Sequence, residues 1–443
     1  MLKQYVIYTV SGQFARIIFA TIASAIIARG LGVENRGVYA LAIWLPTALS
    51  MFAQFGLNAT NGTFPGLYRN QRNAIFINSL VIGGICSLLG VAAYAAFFFQ
   101  GLWDIGRFKL LFDHQQLILM GAVLLPFLVF ENVTREFCQG CEFVKETVFI
   151  TSLSFLFRAV MLAWALVAYN VGVAGVVGIY LFVSFVSIAS YLWVVRAYIK
   201  IRVGMFSKSL FWKTVKSGFV FMLGSSALAL ASQIPVFFLS LFSISTSEIG
   251  LFSVAWMIST QLQFLPSAVA QAFMPKLSND LEQSSGKTPM VFKFNAMLCG
   301  ISMMAMFAVA YPVVLLLVGK EYLGSVNILF IMLPGIAVFG ASRVLGIYLW
   351  AHQKQLYTTL ANWLSLIVTT IFCFILIPQY NGIGAALAVS IGRIVVFISV
   401  VISYCYVSKQ HISVLKLSIS DIKMFYSRMA EMILDLMIRI KKL

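Results

Sequence analysis

Four arginines, Arg16, Arg158, Arg343 and Arg393, each lie near the middle of a long apolar run. A guanidinium at the centre of a spanning helix costs about 2.5–3.5 kcal/mol on insertion scales. Few acids are placed to neutralise them. Within the apolar runs the one candidate is Glu131, and Arg135 follows it by four residues, close enough on a helix to claim it. Charges this deep face a water-filled cavity or a charged ligand. A planar guanidinium matches phosphate through two parallel hydrogen bonds. The implied chemistry is recognition of an anion inside a membrane. Any single arginine could instead snorkel or bind backbone carbonyls at a helix end. Two in each half of the chain argue for a common cause.

Polar stripes accompany these charges. Thr9, Gln13, Arg16, Ala20 and Ser24 follow steps of four and three and so share a helix face. Thr47, Ser50, Gln54, Asn58 and Asn61 form a second stripe, Thr147, Thr151, Ser154 and Arg158 a third, and Thr260, Gln263, Ser267 and Gln271 a fourth. Small hydroxyl residues on one face also serve helix packing in lipid. The long amides need partners or water, so Gln13, Gln54, Asn58 and Gln263 join the arginines as candidate substrate-binding residues. Glu131 is the candidate coupling carboxylate.

Other chemistries find no support. Cys138 and Cys141 form a CxxC, but a metal site needs two more ligands, and neither a second CxxC nor a nearby histidine pair is present. His114, His352 and His411 are scattered. No nucleophilic triad, phosphate-binding glycine loop or pair of carboxylates appears. The expectation is a non-enzyme with no cofactor and no metal.

The elements that must position these residues follow from composition. The chain has 443 residues, 61% hydrophobic and 10% charged, with a mean hydropathy of +0.95. Apolar runs of about 20 residues, enough to cross ~30 Å of hydrocarbon, recur throughout. The expected class is an all-α integral membrane protein with about twelve transmembrane helices. They are placed near 5–28, 38–60, 74–99, 115–135, 147–169, 172–195, 217–242, 249–273, 290–318, 325–350, 356–377 and 382–407. The first run lacks a small-residue cleavage site and reads as a retained span. With a cytoplasmic N-terminus, 22 basic residues fall in inner segments and 5 in outer loops, so both termini are expected inside. The net charge of +17 is then a topology signal and implies no nucleic-acid partner.

The most basic loop, 196–216, divides the chain into halves that resemble each other weakly. RGVYALAIW opens the second span and EIGLFSVAW the eighth; YNVGVAG enters the sixth and YNGIGAA the twelfth. Six helices per repeat return the chain to the same side, giving parallel repeats around a central cavity. The expected organisation is an N-terminal six-helix lobe (1–199), a basic cytoplasmic linker (200–216), a C-terminal six-helix lobe (217–407) and a tail (408–443). The tail reads either as an amphipathic helix on the inner membrane surface or as a loosely ordered basic segment.

The stretch RGLGVENRGVYALA, 29–42, joins the first two spans through a short glycine-rich hairpin. Its Leu31, Gly32, Glu34, Gly37 and Tyr39 resemble the opening of polysaccharide (O-antigen-type) repeat-unit flippases, the Wzx type within the multidrug/oligosaccharidyl-lipid/polysaccharide exporter superfamily. The resemblance extends to the twelve spans, the 6+6 division and the lack of large loops. It implies a protein of the bacterial cytoplasmic (inner) membrane that moves undecaprenyl-diphosphate-linked oligosaccharide between leaflets by alternating access, for lipopolysaccharide or a similar surface polymer. It further implies a cation-lined lumen, for which Arg16, Arg158, Arg343 and Arg393 are the candidates. Coupling to a proton or sodium gradient is implied too, as is work beside a polysaccharide polymerase and a chain-length regulator, among membrane lipids. The alternative is a cation-coupled multidrug exporter of the same superfamily. Such proteins usually hold acids within their helices, and these are nearly absent here. A major-facilitator transporter is disfavoured because the loop between the second and third spans, PGLYRNQRN, has no Asp. A polymerase or ligase would need a long outer loop, and a peptidoglycan-precursor flippase usually has fourteen spans.

Overall fold

The computed structural model describes residues 2–99, 113–198, 206–264, 266–270 and 281–418, with Asp421 and Ser427. No strand occurs among them. The helices are α1 (Leu2–Ala53), α2 (Leu57–Leu67), α3 (Arg72–Phe99), α4 (Gln115–Gly140), α5 (Val144–Tyr169) and α6 (Val173–Tyr198). They continue with α7 (Lys208–Leu241), α8 (Thr246–Gln261), α9 (Leu281–Leu317), α10 (Ser325–Ala351) and α11 (Gln355–Ser408). Among the described residues ten helical segments are long and apolar enough to cross a membrane. The protein is an all-helical, multi-pass membrane protein. The question of an amphipathic tail falls almost wholly on residues outside those described.

Two helical stretches are too long for one crossing. At about 1.5 Å per residue, the 54 residues of α11 would span about 80 Å. Both α1 and α11 reverse instead. In α1 the turn is at Gly32 (φ 72°, ψ 173°), a conformation open to glycine and nearly closed to other residues. Arg36 donates to the Ser24 hydroxyl at 2.9 Å, although a straight helix would hold them about 18 Å apart. In α11 the reversal is at Asn381 (φ 50°), shortly after Pro378, and Ser365 Oγ donates to the Gly392 carbonyl at 2.9 Å, 27 residues away. The expected hairpin at 29–37 and the expected break between 377 and 382 stand at these points.

Other boundaries differ. α4 runs on to Gly140, and α7 starts at Lys208, so part of the expected linker is helix. Leu210 packs in a cluster with Phe76, Phe137 and Tyr191, and Asn78 donates to the Ser207 carbonyl at 2.9 Å. The start of the second half is thus anchored on the first. A break at Phe55–Gly56 (φ 46° and 69°) separates α1 from α2 inside the expected second span. Large apolar side chains such as Leu88, Val167, Trp193 and Leu316 are exposed, as a lipid-facing surface requires.

The halves meet closely at the helix ends beside the Gly32 reversal, and again where Gly56 faces Gly218. Ala28, Leu41 and Trp44 of α1 share one apolar cluster with residues of α7, α8, α10 and α11. Tyr322 donates to the Ala28 carbonyl at 2.8 Å, and Arg29 to the carbonyls of Leu317, at 3.0 Å, and Leu316. A Cβ on Gly37 would fall inside the van der Waals shell of the Thr246 carbonyl, so the contact needs glycine there.

Candidate anion-binding site

The four mid-span arginines do not converge on one place. Arg16 lines a cavity of about 250 Å³ with Gly12, Arg135, Glu136, Gln139, Thr147 and Thr151, all from α1, α4 and α5. Gly12 lets α1 approach Val148 of α5, which brings Arg16 within reach of the hydroxyl face of α5. Arg16 is exposed to this space and makes no hydrogen bond to a described residue. Its neighbour Arg135 is already committed: it donates to Asn132 Oδ1 at 2.7 Å and pairs with Glu136 at 2.9 Å. Thr151 is hydrogen-bonded to Tyr191 at 2.7 Å and Thr147 donates to the Phe143 carbonyl at 2.6 Å. Among the described residues, Arg16 is therefore the cation left free in the cavity. Such a space can hold a small anion without first breaking an internal ion pair.

The other three arginines lie elsewhere, in two separate places. Arg158 is buried inside the first half, 4.2 Å over the Tyr180 ring and 5.3 Å over Phe155, with Nε unpartnered. Arg343 and Arg393 lie together in the second half: both pack on Phe339, at 5.1 and 4.4 Å. Arg343 also donates to Gln263 Oε1 at 3.5 Å, so Gln263 belongs to this pair. The ring of Phe14 in α1 touches that of Phe264 at 4.7 Å, which joins the two halves two residues before Arg16 and one after Gln263.

The remaining candidates divide. Gln54 sits at the α1–α2 break, where its backbone N–H donates to the Ser50 carbonyl, and Asn58 is exposed; neither lines the Arg16 cavity. The Gln13 side chain lies outside the described residues. Asn61 is a packing residue, donating to the Val133 carbonyl at 3.1 Å and accepting from Ser79 at 2.6 Å. Glu131 does not pair with Arg135; Glu136 does. Apolar character ends near 135 while the helix runs on to Gly140, so Glu136 and Gln139 lie past the hydropathy signal yet still on the helix that lines the cavity. Arg36, placed in an outer loop by hydropathy, is instead buried, bonded to Ser24 and, at 3.3 Å, to Ser253 of α8. No group of three or more metal-ligating side chains occurs among the described residues. Cys141, just past α4, has its thiol pushed up to about 11 by burial, and so stays protonated.

Solved structures share this fold. Lipid II flippase MurJ in an inward closed conformation superposes with a TM-score of 0.72 at 18% identity, over 95% of this chain and 92% of that one. An inward-facing multidrug resistance MATE transporter of the MOP superfamily gives 0.68 at 15%, over 90% and 95%. A MOP superfamily transporter from Pyrococcus furiosus, described as having a binding pocket of reverse polarity, gives 0.62 at 19%, over 93% and 95%. No curated protein matches the chain by sequence. Residues 2–280 match the family model described as polysaccharide biosynthesis protein, and the chain belongs to that family.

Proposed function

We propose that this protein is a flippase for lipid-linked oligosaccharide repeat units of the Wzx type, and not an enzyme. Its cargo is an undecaprenyl-diphosphate carrier loaded with a repeat unit for a surface polysaccharide such as O-antigen, moved across the bacterial cytoplasmic membrane. The observation that carries this reading is Arg16. Its guanidinium makes no hydrogen bond to a described residue and opens on a cavity whose other cation is already neutralised. At about 250 Å³ the cavity is smaller than most ligand pockets, a size for a phosphoryl head group and not for an oligosaccharide. Membership of a polysaccharide biosynthesis family supports the cargo class. The acids within the described spanning helices are few, and Glu136, Glu146 and Glu248 lie near helix ends, which disfavours a cation-exporting drug transporter, although MATE proteins share the fold.

On this reading the reversals in α1 and α11 give twelve crossings in two six-helix lobes, with both termini cytoplasmic. Arg16 takes the head group through two charge-assisted hydrogen bonds, and Gln139, exposed on the same cavity, offers a neutral donor. Glu136 lies beside Arg16, which makes it a better placed coupling carboxylate than Glu131. The outer contacts of Arg29, Arg36 and Tyr322 hold the far side closed. Alternating access must break them, and each is a hydrogen bond worth about 0.5–3 kcal/mol, so the two states lie within reach of substrate binding.

The test is chemical. In a strain lacking the gene, lipid-linked intermediates are extracted, identified by mass spectrometry, and assigned to a leaflet. Single complete repeat units accumulating on the cytoplasmic face support the flippase. Normal turnover of those intermediates with altered sensitivity to cationic drugs would replace it with the exporter.

A further inference from the structure

We propose that the second half of the chain holds an anion site of its own, in which Arg343 and Arg393 together bind one phosphoryl-type anion beside Phe339, apart from the Arg16 cavity. The site is built by close packing of α10 on α11. Gly335 of α10 donates its amide to Ser390 Oγ at 3.1 Å, a contact that leaves no room for a Cβ on residue 335. One turn further along, this register sets Arg393 4.4 Å from the Phe339 ring; Arg343 lies 5.1 Å from the same ring. Trp256 of α8 closes the far side, 5.9 Å from Arg393.

Two guanidiniums on one ring repel each other, and among the described residues of this half no carboxylate pairs with them. Glu248, in the first turn of α8, receives the Gly382 amide instead, at 3.3 Å. Arg393 is 7% exposed, its Nη1 is buried without a hydrogen-bond partner, and Arg343 Nε is buried and unpartnered as well. Cation–π contacts satisfy the faces of the guanidiniums and leave Arg393 Nη1 and Arg343 Nε without acceptors. Buried donors left unmade are costly, so two such edges in one place mark a missing acceptor. Phosphate supplies several acceptor oxygens and the compensating charge. Arg343 and Gln263 are partly exposed and give the way in, with Arg393 behind them. The pair suits a diphosphate head group or a free phosphoryl anion equally. Choosing the head group rests on the flippase reading; the site itself does not.

Purified full-length protein in lipid nanodiscs is melted with and without inorganic pyrophosphate, and then with a polyprenyl diphosphate in the bilayer. Variants are Arg343→Gln, Arg393→Gln, Arg393→Lys and Arg16→Gln. Pyrophosphate is expected to raise the melting midpoint of wild type and of Arg16→Gln. Either glutamine variant of the pair should weaken its apparent affinity by roughly tenfold or more, with partial rescue in Arg393→Lys. The unliganded Arg393→Gln protein should melt no lower than wild type, because the change removes a buried unpaired charge. Stabilisation by the polyprenyl diphosphate alone, lost in the pair variants, also supports the site and names lipid as the source. Three results would overturn it: no shift with either probe, shifts unaffected by the pair variants, or shifts lost in Arg16→Gln alone. A lower unliganded midpoint in Arg393→Gln with pyrophosphate binding intact would show a purely structural role. Binding lost in the pair variants while the deletion strain turns over its lipid-linked oligosaccharide normally would sink the flippase and leave the site standing.

Discussion

Arg16→Gln isolates the central claim. Arg16 makes no hydrogen bond to a described residue and faces a cavity, so its removal breaks none of the hydrogen bonds among the described residues. Insertion should become easier, since a mid-span arginine costs about 2.5–3.5 kcal/mol. What disappears is the charge-assisted fork to an anion. Taking that fork as about 2–3 kcal/mol, substrate affinity should fall about 30- to 150-fold. Arg16→Lys keeps the charge and loses the fork, so it should fall between the two. Arg135→Gln provides contrast: it strands Glu136 at the cavity and should reduce folded protein as well as transport. The assay is complementation of a deletion strain at matched membrane abundance, comparing cytoplasmic-face repeat-unit lipid with surface polymer at low precursor supply. Wild-type export by Arg16→Gln, at equal abundance and low supply, would refute the reasoning outright.

Three further outcomes follow from single contacts. Gly37→Ala places a methyl against the Thr246 carbonyl where the halves touch; overpacking there should cost about 1–3 kcal/mol and lower the melting midpoint, with Gly62→Ala, which meets open space, as the neutral control. Cys141 should resist maleimide in the folded protein at pH 7–8 and become reactive only as pH nears about 11, where its thiol ionises; fast labelling at neutral pH would contradict its burial. Asp421 is held low, at about 2, by Ser418 and by Lys293 at 2.9 Å. A depressed carboxylate stabilises the folded form above its ordinary range near 3.9 and loses that contribution as pH falls toward 2, so the Asp421–Lys293 contact should be equally strong from pH 5 to 8. Hydrogen exchange of residues 408–421 at pH 5 and 8 checks this, and Asp421→Asn should raise exchange at both.

Much of the fold was legible in order. Apolar runs long enough to span a bilayer are a one-dimensional signal, and so are Gly32 and Asn381, which mark the reversals because few residues tolerate positive φ. Hydropathy misled where helices outlast their apolar stretch. α4 continues through Glu136 and Gln139, and α7 begins among the lysines of the linker, because helical hydrogen bonding does not stop at the membrane boundary. It misled at Arg36 too, where a charge in an apparent loop folds back into the contact between the halves.

The sequence by itself determined the class, the presence of excess positive charge among apolar helices, and the shortage of acids to match it. It could not say which arginines share a space. Helical periodicity gives a residue's face but not the helix that face meets. Only the tertiary structure put Arg16 with the Arg135–Glu136 pair, enclosed Arg158 between aromatic rings, and stacked Arg343 and Arg393 on Phe339. Those groupings depend on close approaches between helices, Gly12 on Val148 and Gly335 on Ser390, where the absence of a side chain sets the register.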